Sequence, residues 1–348
     1  MSRNIKKYML AKSYATWRNV GIGLILLLLL VRIFVIINTV KYNTNTSAAN
    51  LKAQVNEDVN QIRYQFNDYT SLLYAGRALF SVNNSVSRQD WLNFFDNQLL
   101  NVRYPGLYAI AYISVINHTQ ISSFTSQLNQ NRLPNETNQL SIFPNTNGQQ
   151  LAILTYLAPK SVPQNIIGYN LFSSQTRKAI LLSAASSGLE SVSDPLSLKG
   201  LMPSKTPNGV LIVLPNYNST NQSLTTTADR QAALEGYIIL AARLQTLFNP
   251  IFSSSDNRTL NVTITNNNIV IYHHGNKINK PSLQQNVEIQ LANQNWLIRV
   301  SAPTNYSLSA TAILAPNTII FTLVPLLILL ILTLYFALKY HETQYQKD

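Results

Sequence analysis

Two predominantly apolar stretches bracket this chain, VGIGLILLLLLVRIFVII from Val20 to Ile37, interrupted only by Arg32, and TIIFTLVPLLILLILTLYFAL from Thr318 to Leu338. A hydrocarbon core about 30 Å thick takes about 20 helical residues to cross, so both stretches are predicted to span a membrane as helices. Past the first, the period changes. Leu51, Val55, Val59, Ile62, Phe66, Tyr69 and Leu73 recur at steps of three and four, the seam of a long amphipathic helix. Running on from the first span, residues 39–80 would reach about 60 Å at 1.5 Å per residue. The seam has two readings: it packs on the domain's own sheet, or its 3.5-residue repeat pairs two copies in a homodimer.

A second amphipathic helix is predicted over DWLNFFDNQLLNV, from Asp90. Then the texture turns to strands: GLYAIAYISVI, QLAILTYLA, NIIGYNLF and GVLIVLPNY, rich in β-branched and aromatic residues. A helix, SQTRKAILLSAASS, interrupts them and stops at Gly188. Residues 215–228 are predicted to be a surface loop, and a helix to run from about Asp229 to Phe248. Beyond Pro250 four strands form two hairpins, LNVTI with IVIY across the Asn turn at 266–268, and NVEIQL with NWLIRV. The expected organisation is a basic tail (1–19), a span (20–37), a stalk helix (38–87), a membrane-distal unit (88–249), a membrane-proximal unit (250–317), a second span (318–338) and a short tail (339–348).

Composition narrows the function. Hydrophobic residues make up 46% and charged residues only 11%, against about 25% charged in soluble domains. This composition argues against an ordinary cytosolic domain and excludes a disordered chain. Of the formal +12 charge, +5 sits on residues 1–19 without one acid, which holds that tail in the cytoplasm. Both termini are then cytoplasmic and residues 38–317 extracytoplasmic. That loop carries +6 with its 18 Lys and Arg dispersed, so no nucleic-acid partner is expected. With no cysteine, disulfides, thiolate metal sites and cysteine nucleophiles are excluded. There is no nucleophile elbow, P-loop or paired-His zinc helix, and the adjacent His273 and His274 on a strand point to opposite faces. No enzymatic activity, cofactor or metal is expected.

The block IIGYNLFSSQTRKAILLSAASSGLESVSDPLSL, with Gly168, Asn170, Arg177, Ala184, Gly188 and Leu198, is followed by GVLIVLPNY and ADRQAALEGYI and preceded by YPGLYAIAYISVI. In this order the four blocks resemble a CHASE domain, the extracytoplasmic sensor of many histidine kinases and cyclases and of plant cytokinin receptors, over most of residues 60–300. The resemblance implies an α+β membrane protein in which two transmembrane helices flank a long helix and two PAS-like α/β units, the distal one holding a small ligand. In the cytokinin receptors an Asp in the strand before the Arg-bearing helix bonds the ligand ring. Asn170 stands at that position here, and an amide both donates and accepts where a carboxylate only accepts. Val192 and Ser193 fall where the family lines its pocket, with Val213 on an adjacent strand. Asn170→Ala is therefore expected to weaken ligand binding without unfolding the domain, unless Asn170 only satisfies local backbone.

Arg177 lies in the first turns of its helix, where the macrodipole disfavours a cation. Either an acid such as Glu190 or Asp194 pairs with it or it captures a ligand anion. The expected function is a membrane-anchored sensor of a small organic ligand, homodimeric and without an output domain of its own. The alternatives are a structural or adhesive surface protein with a degenerate pocket, or an accessory subunit of a separate cytoplasmic or membrane signalling enzyme.

Overall fold

The computed structural model describes residues 2–82, 85–134, 136–198, 208–218, 224–253, 259–276, 278, 282–306, 308 and isolated positions between 327 and 339. The chain divides into two compact units, Met1–Ala53 with Pro303–Asp348, and Gln54–Ala302. In the first, the expected span 20–37 is helical throughout, part of α1 (Ser2–Val82). Its Leu26, Leu27, Leu30, Phe34 and Ile37 are each more than half exposed. Among the described residues no helix is long and apolar enough to cross a membrane. The expected span 318–338 and the tail behind it lie almost wholly outside the described residues.

The second unit is built on two antiparallel sheets. After α1 the chain enters α2 (Arg88–Asp96), started by a capping box in which Ser87 Oγ accepts from the Asp90 N–H at 3.1 Å while the Ser87 N–H donates to Asp90 Oδ2 at 3.0 Å. The single helix expected over Asp90–Val102 is broken: Leu99 turns left-handed at φ 51°, and a short α3 (Leu100–Arg103) follows. Then come β1 (Leu107–Asn117), α4 (Ile121–Gln130), β2 (Gln150–Ala158), α5 (Gln175–Ser187), β3 (Ser191–Val192), β4 (Gly209–Tyr217), α6 (Thr227–Ala232) and β5 (Leu234–Arg243). The first sheet has the order β2-β1-β5-β4-β3.

Three expectations are corrected here. Residues 234–243 form the central strand of that sheet, not the middle of a helix. Glu, Leu and Ala give LEGYIILAAR a helical propensity, but β1 and β4 bond it on both sides. At Gly236 any Cβ would strike the Ile113 carbonyl and the Tyr112 ring. NIIGYNLF forms two 3-10 turns, Gln164–Ile166 and Leu171–Ser173, with isolated bridges rather than a strand. The loop expected from Pro215 begins later, because Pro215–Tyr217 still pair with β5.

One face of the first sheet lies on α1. Val210, Ile212 and Ala242 meet Ile62, Phe66 and Tyr69, and a Cβ on Gly76 would touch Ile238, Phe95 and Trp91. The helical seam is thus covered by the chain's own sheets: Val55, Val59, Ile62, Tyr69 and Leu73 are all buried within one copy.

The remaining elements are α7 (Leu244–Phe252), β6 (Asn261–Asn266), β7 (Ile269–His274), β8 (Ser282–Leu291) and β9 (Gln294–Pro303), the last four in the order β7-β6-β9-β8. Both expected hairpins are present, the first closed by Asn267 and Asn268 at φ 48° and 65°. The boundary expected at Asn249 and Pro250 falls inside α7, whose Phe248 ring packs on Tyr272 and Trp296 of the second sheet at 5.2 and 5.9 Å. The β8–β9 turn holds β3 directly. Asn293 Oδ1 accepts from the Val192 N–H at 2.6 Å, and Gln294 Nε2 donates to the Val192 carbonyl at 3.0 Å.

Candidate ligand-binding site

The face of the first sheet opposite α1 carries a cavity of about 340 Å³. Its floor follows from register. Side chains alternate across a sheet, and on this face Leu157, Ala111 and Ile239 lie in one row, and Ala109, Ala241 and Leu211 in the next. Three alanines among leucine and isoleucine leave a hollow in an otherwise close-packed layer. Around it stand Tyr108, Ile113 and Leu154; Pro163, Asn165 and Ile166 of the first 3-10 turn; Tyr169 and Leu171; Arg177 of α5; and Leu196 and Leu198 after β3.

The wall is almost wholly apolar. Among the described residues, Asn165, the Tyr169 and Tyr108 hydroxyls and the Arg177 guanidinium supply its polar side-chain groups, and Arg177 alone is charged. Arg177 Nη1 donates to the Tyr169 hydroxyl at 3.2 Å, Nη2 reaches the Ser197 carbonyl at 3.5 Å, and the guanidinium lies 5.6 Å from the Tyr169 ring centre. All three partners are neutral, and the two hydrogen bonds are long. The acids expected to pair with it are engaged elsewhere: Glu190 accepts from the Tyr74 hydroxyl at 3.0 Å, and Asp194 Oδ1 from Asn267 Nδ2 at 3.4 Å.

The CHASE domain family model matches residues 84–277, which include the whole first sheet and every residue around the cavity. The chain belongs to the CHASE domain family. No curated protein matches it. Among solved structures, it is similar to the periplasmic sensory domain of the Campylobacter jejuni chemoreceptor Tlp1 over 78% of this chain and 99% of that one, at 13% identity and a TM-score of 0.46. It is similar to the ligand binding domain of the Pseudomonas aeruginosa PAO1 amino acid chemoreceptor PctC, in complex with GABA, over 74% and 99%, at 8% identity and 0.41. The extracellular ligand binding receptor from Desulfohalobium retbaense DSM5692 is similar over 75% of this chain at 10% identity and 0.40, and the chain spans 39% of that receptor's length.

Of the five residues singled out within the CHASE blocks, the cavity wall holds one, Arg177. Asn170 is fully buried, and its amide is spent on structure. Oδ1 accepts from the Ala152 and Phe172 N–H groups at 3.2 and 3.1 Å, and Nδ2 donates to Thr146 Oγ1 at 3.1 Å. Val192 is held in β3 by the second hairpin, with its side chain toward Ile62 and Trp296. Ser193 Oγ accepts from the Leu211 N–H at 2.9 Å and donates to the Asp194 carbonyl at 2.8 Å. Val213 is buried opposite Ser191. These four lie outside the wall of this cavity.

The expected outcome for Asn170→Ala changes accordingly. The buried Ala152 N–H and the partly buried Phe172 N–H lose their acceptor, which costs about 1–3 kcal/mol. The variant should melt earlier by circular dichroism even without ligand; an unchanged melting midpoint would remove the structural role.

The sequence reading missed Ala109, Ala111, Ala241 and Asn165. The alternation of Ala with larger residues in LYAIAYI was the available signal for the first two. Asn165 had none, being one of 40 Asn in the chain.

Proposed function

We propose that this CHASE-family chain is a membrane-anchored sensor, with residues 38–317 outside and both tails in the cytoplasm, that binds a small organic ligand in the Ala109–Ala111–Ala241 cavity. The observation that carries this reading is the cavity: an apolar hollow with a few convergent polar groups, at the small end of the roughly 300–1,000 Å³ typical of ligand sites. Membership of an extracytoplasmic sensory family supports the outer location. The two apolar stretches, and the outward leucines of the first, support the anchor.

Signalling then needs a ligand that favours one arrangement over another. The segment from Glu190 to Leu198 suits that task. Leu196 and Leu198 touch the cavity, Val192 is held by the second sheet, and Glu190 bonds Tyr74 of α1. Occupancy that shifts this segment would reach both α1 and the second sheet. A homodimer, paired through a face of α1 other than the seam buried on its own sheets, completes the proposal.

Ala111→Leu in the full chain tests it. The leucine fills the hollow from its floor, so metabolites that raise the melting midpoint of the natural protein by selecting its folded state are expected to lose that effect, while the ligand-free midpoint stays level or rises. Equal shifts in both proteins would place the ligand elsewhere and refute the reading.

A further inference from the structure

Resting on that reading, we infer that the cavity's ligand is a small carboxylate with an apolar body, its anionic end held by Arg177. The argument starts from charge balance. Arg177 is half-buried and at the N-terminal end of α5, where the helix dipole adds to the cost of a cation. The described residues provide no carboxylate partner for it; both of its acceptors are neutral, at 3.2 and 3.5 Å. A cation so placed is stabilised by an anion from outside.

The wall then selects the kind of anion. A guanidinium offers parallel N–H donors that match the two oxygens of a carboxylate. Phosphate would bring more charge than one arginine offsets, and among the described residues no second cation lines the cavity. Beyond Arg177 the described wall is mainly alanine, leucine and isoleucine with two tyrosines, fit for an alkyl or aryl body but not for a second charge. An ammonium group would find no acid among the described wall residues, which disfavours zwitterions and amines. Asn165 and the Tyr169 hydroxyl remain for a single neutral polar group.

The test uses the full chain in detergent, with hexanoate, 4-methylpentanoate and phenylacetate compared with their primary amides and with hexylamine by isothermal titration and thermal shift. The carboxylates are expected to bind, the amides and the amine to bind at least tenfold more weakly. Arg177→Gln should cost the carboxylates about 10- to 100-fold in affinity, the loss expected for hydrogen bonds to a charged group, and leave the ligand-free melting midpoint close to that of the natural protein. Equal binding of acid and amide, or carboxylate binding unchanged in Arg177→Gln, would overturn the ligand class while loss of binding in Ala111→Leu keeps the cavity itself. If these carboxylates fail but a neutral or cationic metabolite binds in an Ala111-dependent way, the class is again wrong. Failure of every compound in both proteins would overturn the class together with the sensor reading.

Discussion

Trp91→Ala should destabilise the sensory unit by about 3–5 kcal/mol, the usual cost of removing a large aromatic from a core. Trp91 is fully buried at the centre of a ring cluster that joins three layers. Its ring lies 5.9 Å from Phe80 of α1, 4.5 Å from Phe95 on its own helix, and 6.4 and 6.1 Å from Tyr112 and Tyr156 on the sheet below. Tyr112 and Tyr156 are cross-strand partners, so one deletion loosens both helices from the β1–β2 pair. The indole Nε1 is buried without a hydrogen-bond partner. Trp91→Phe should therefore be much milder than Trp91→Ala, because it removes an unsatisfied donor along with some of the packing. Urea melts of the two variants followed by circular dichroism check both statements; similar costs for Phe and Ala would mean that the indole makes a bond the cluster does not account for.

The elements legible in the sequence were those in which local preference and tertiary demand agree. QLAILTYLA and GVLIVLPNY are apolar, β-branched and flanked by turns, and they form β2 and β4 at their expected bounds. The triple Asn gives left-handed positions at a hairpin tip, as its chemistry dictates. At LEGYIILAAR the two disagree. Helix formers hold both ends of the segment, Leu234–Glu235 and Leu240–Arg243, yet the fold needs a strand between β1 and β4, and two ladders of hydrogen bonds outweigh a propensity of a few tenths of a kcal/mol per residue. The break at Leu99 had no composition signal, since a left-handed leucine is set by the turn into β1 rather than by its own preference.

The site divides along the same line. Arg177 was legible because a cation in the first turn of a helix is locally unfavourable and asks for an explanation. Which neighbours answer was not legible: sequence distance favoured Glu190 and Asp194, but the fold turns those carboxylates toward Tyr74 and Asn267. Asn170, Val192, Ser193 and Val213 share the family's blocks, and the fold spends them on bridges and packing. Whether a strand residue faces a cavity depends on register with its partners, and the hollow exists only because Ala111 lies between Leu157 and Ile239, next to Ala109 and Ala241. No single segment encodes that coincidence.

Glu136→Gln should cost about 3 kcal/mol, at the lower end for breaking a buried ion pair, and should weaken ligand binding at a site it does not touch. Arg88, at 2% side-chain exposure, donates from Nη1 and Nη2 to the two oxygens of Glu136 at 2.6 and 2.7 Å, the only ion pair among the described residues. With glutamine in place, a nearly inaccessible guanidinium loses its counter-charge. Arg88→Met should cost less, because Glu136 retains 19% exposure and can rehydrate. The effect on the ligand runs through Gln164, whose Oε1 accepts from Arg88 at 3.3 Å. Gln164 opens the 3-10 turn that carries Asn165 and Ile166 to the cavity, so its anchor sets the position of that wall. pH gives an independent check. Burial alone would raise the Glu136 pKa, but the hydrogen bonds and charge of Arg88 outweigh it and hold the carboxyl below its ordinary 4.5. A carboxyl with a depressed folded-state pKa adds stability above its unfolded value and loses it as pH falls through the folded value. The natural protein should therefore lose stability below about pH 4.5 more steeply than Glu136→Gln, which has no proton to take up there. Parallel stability curves between pH 6 and pH 3 would show that the pair contributes nothing, and the cavity wall would then have to be held by Gln164 and its own turn alone.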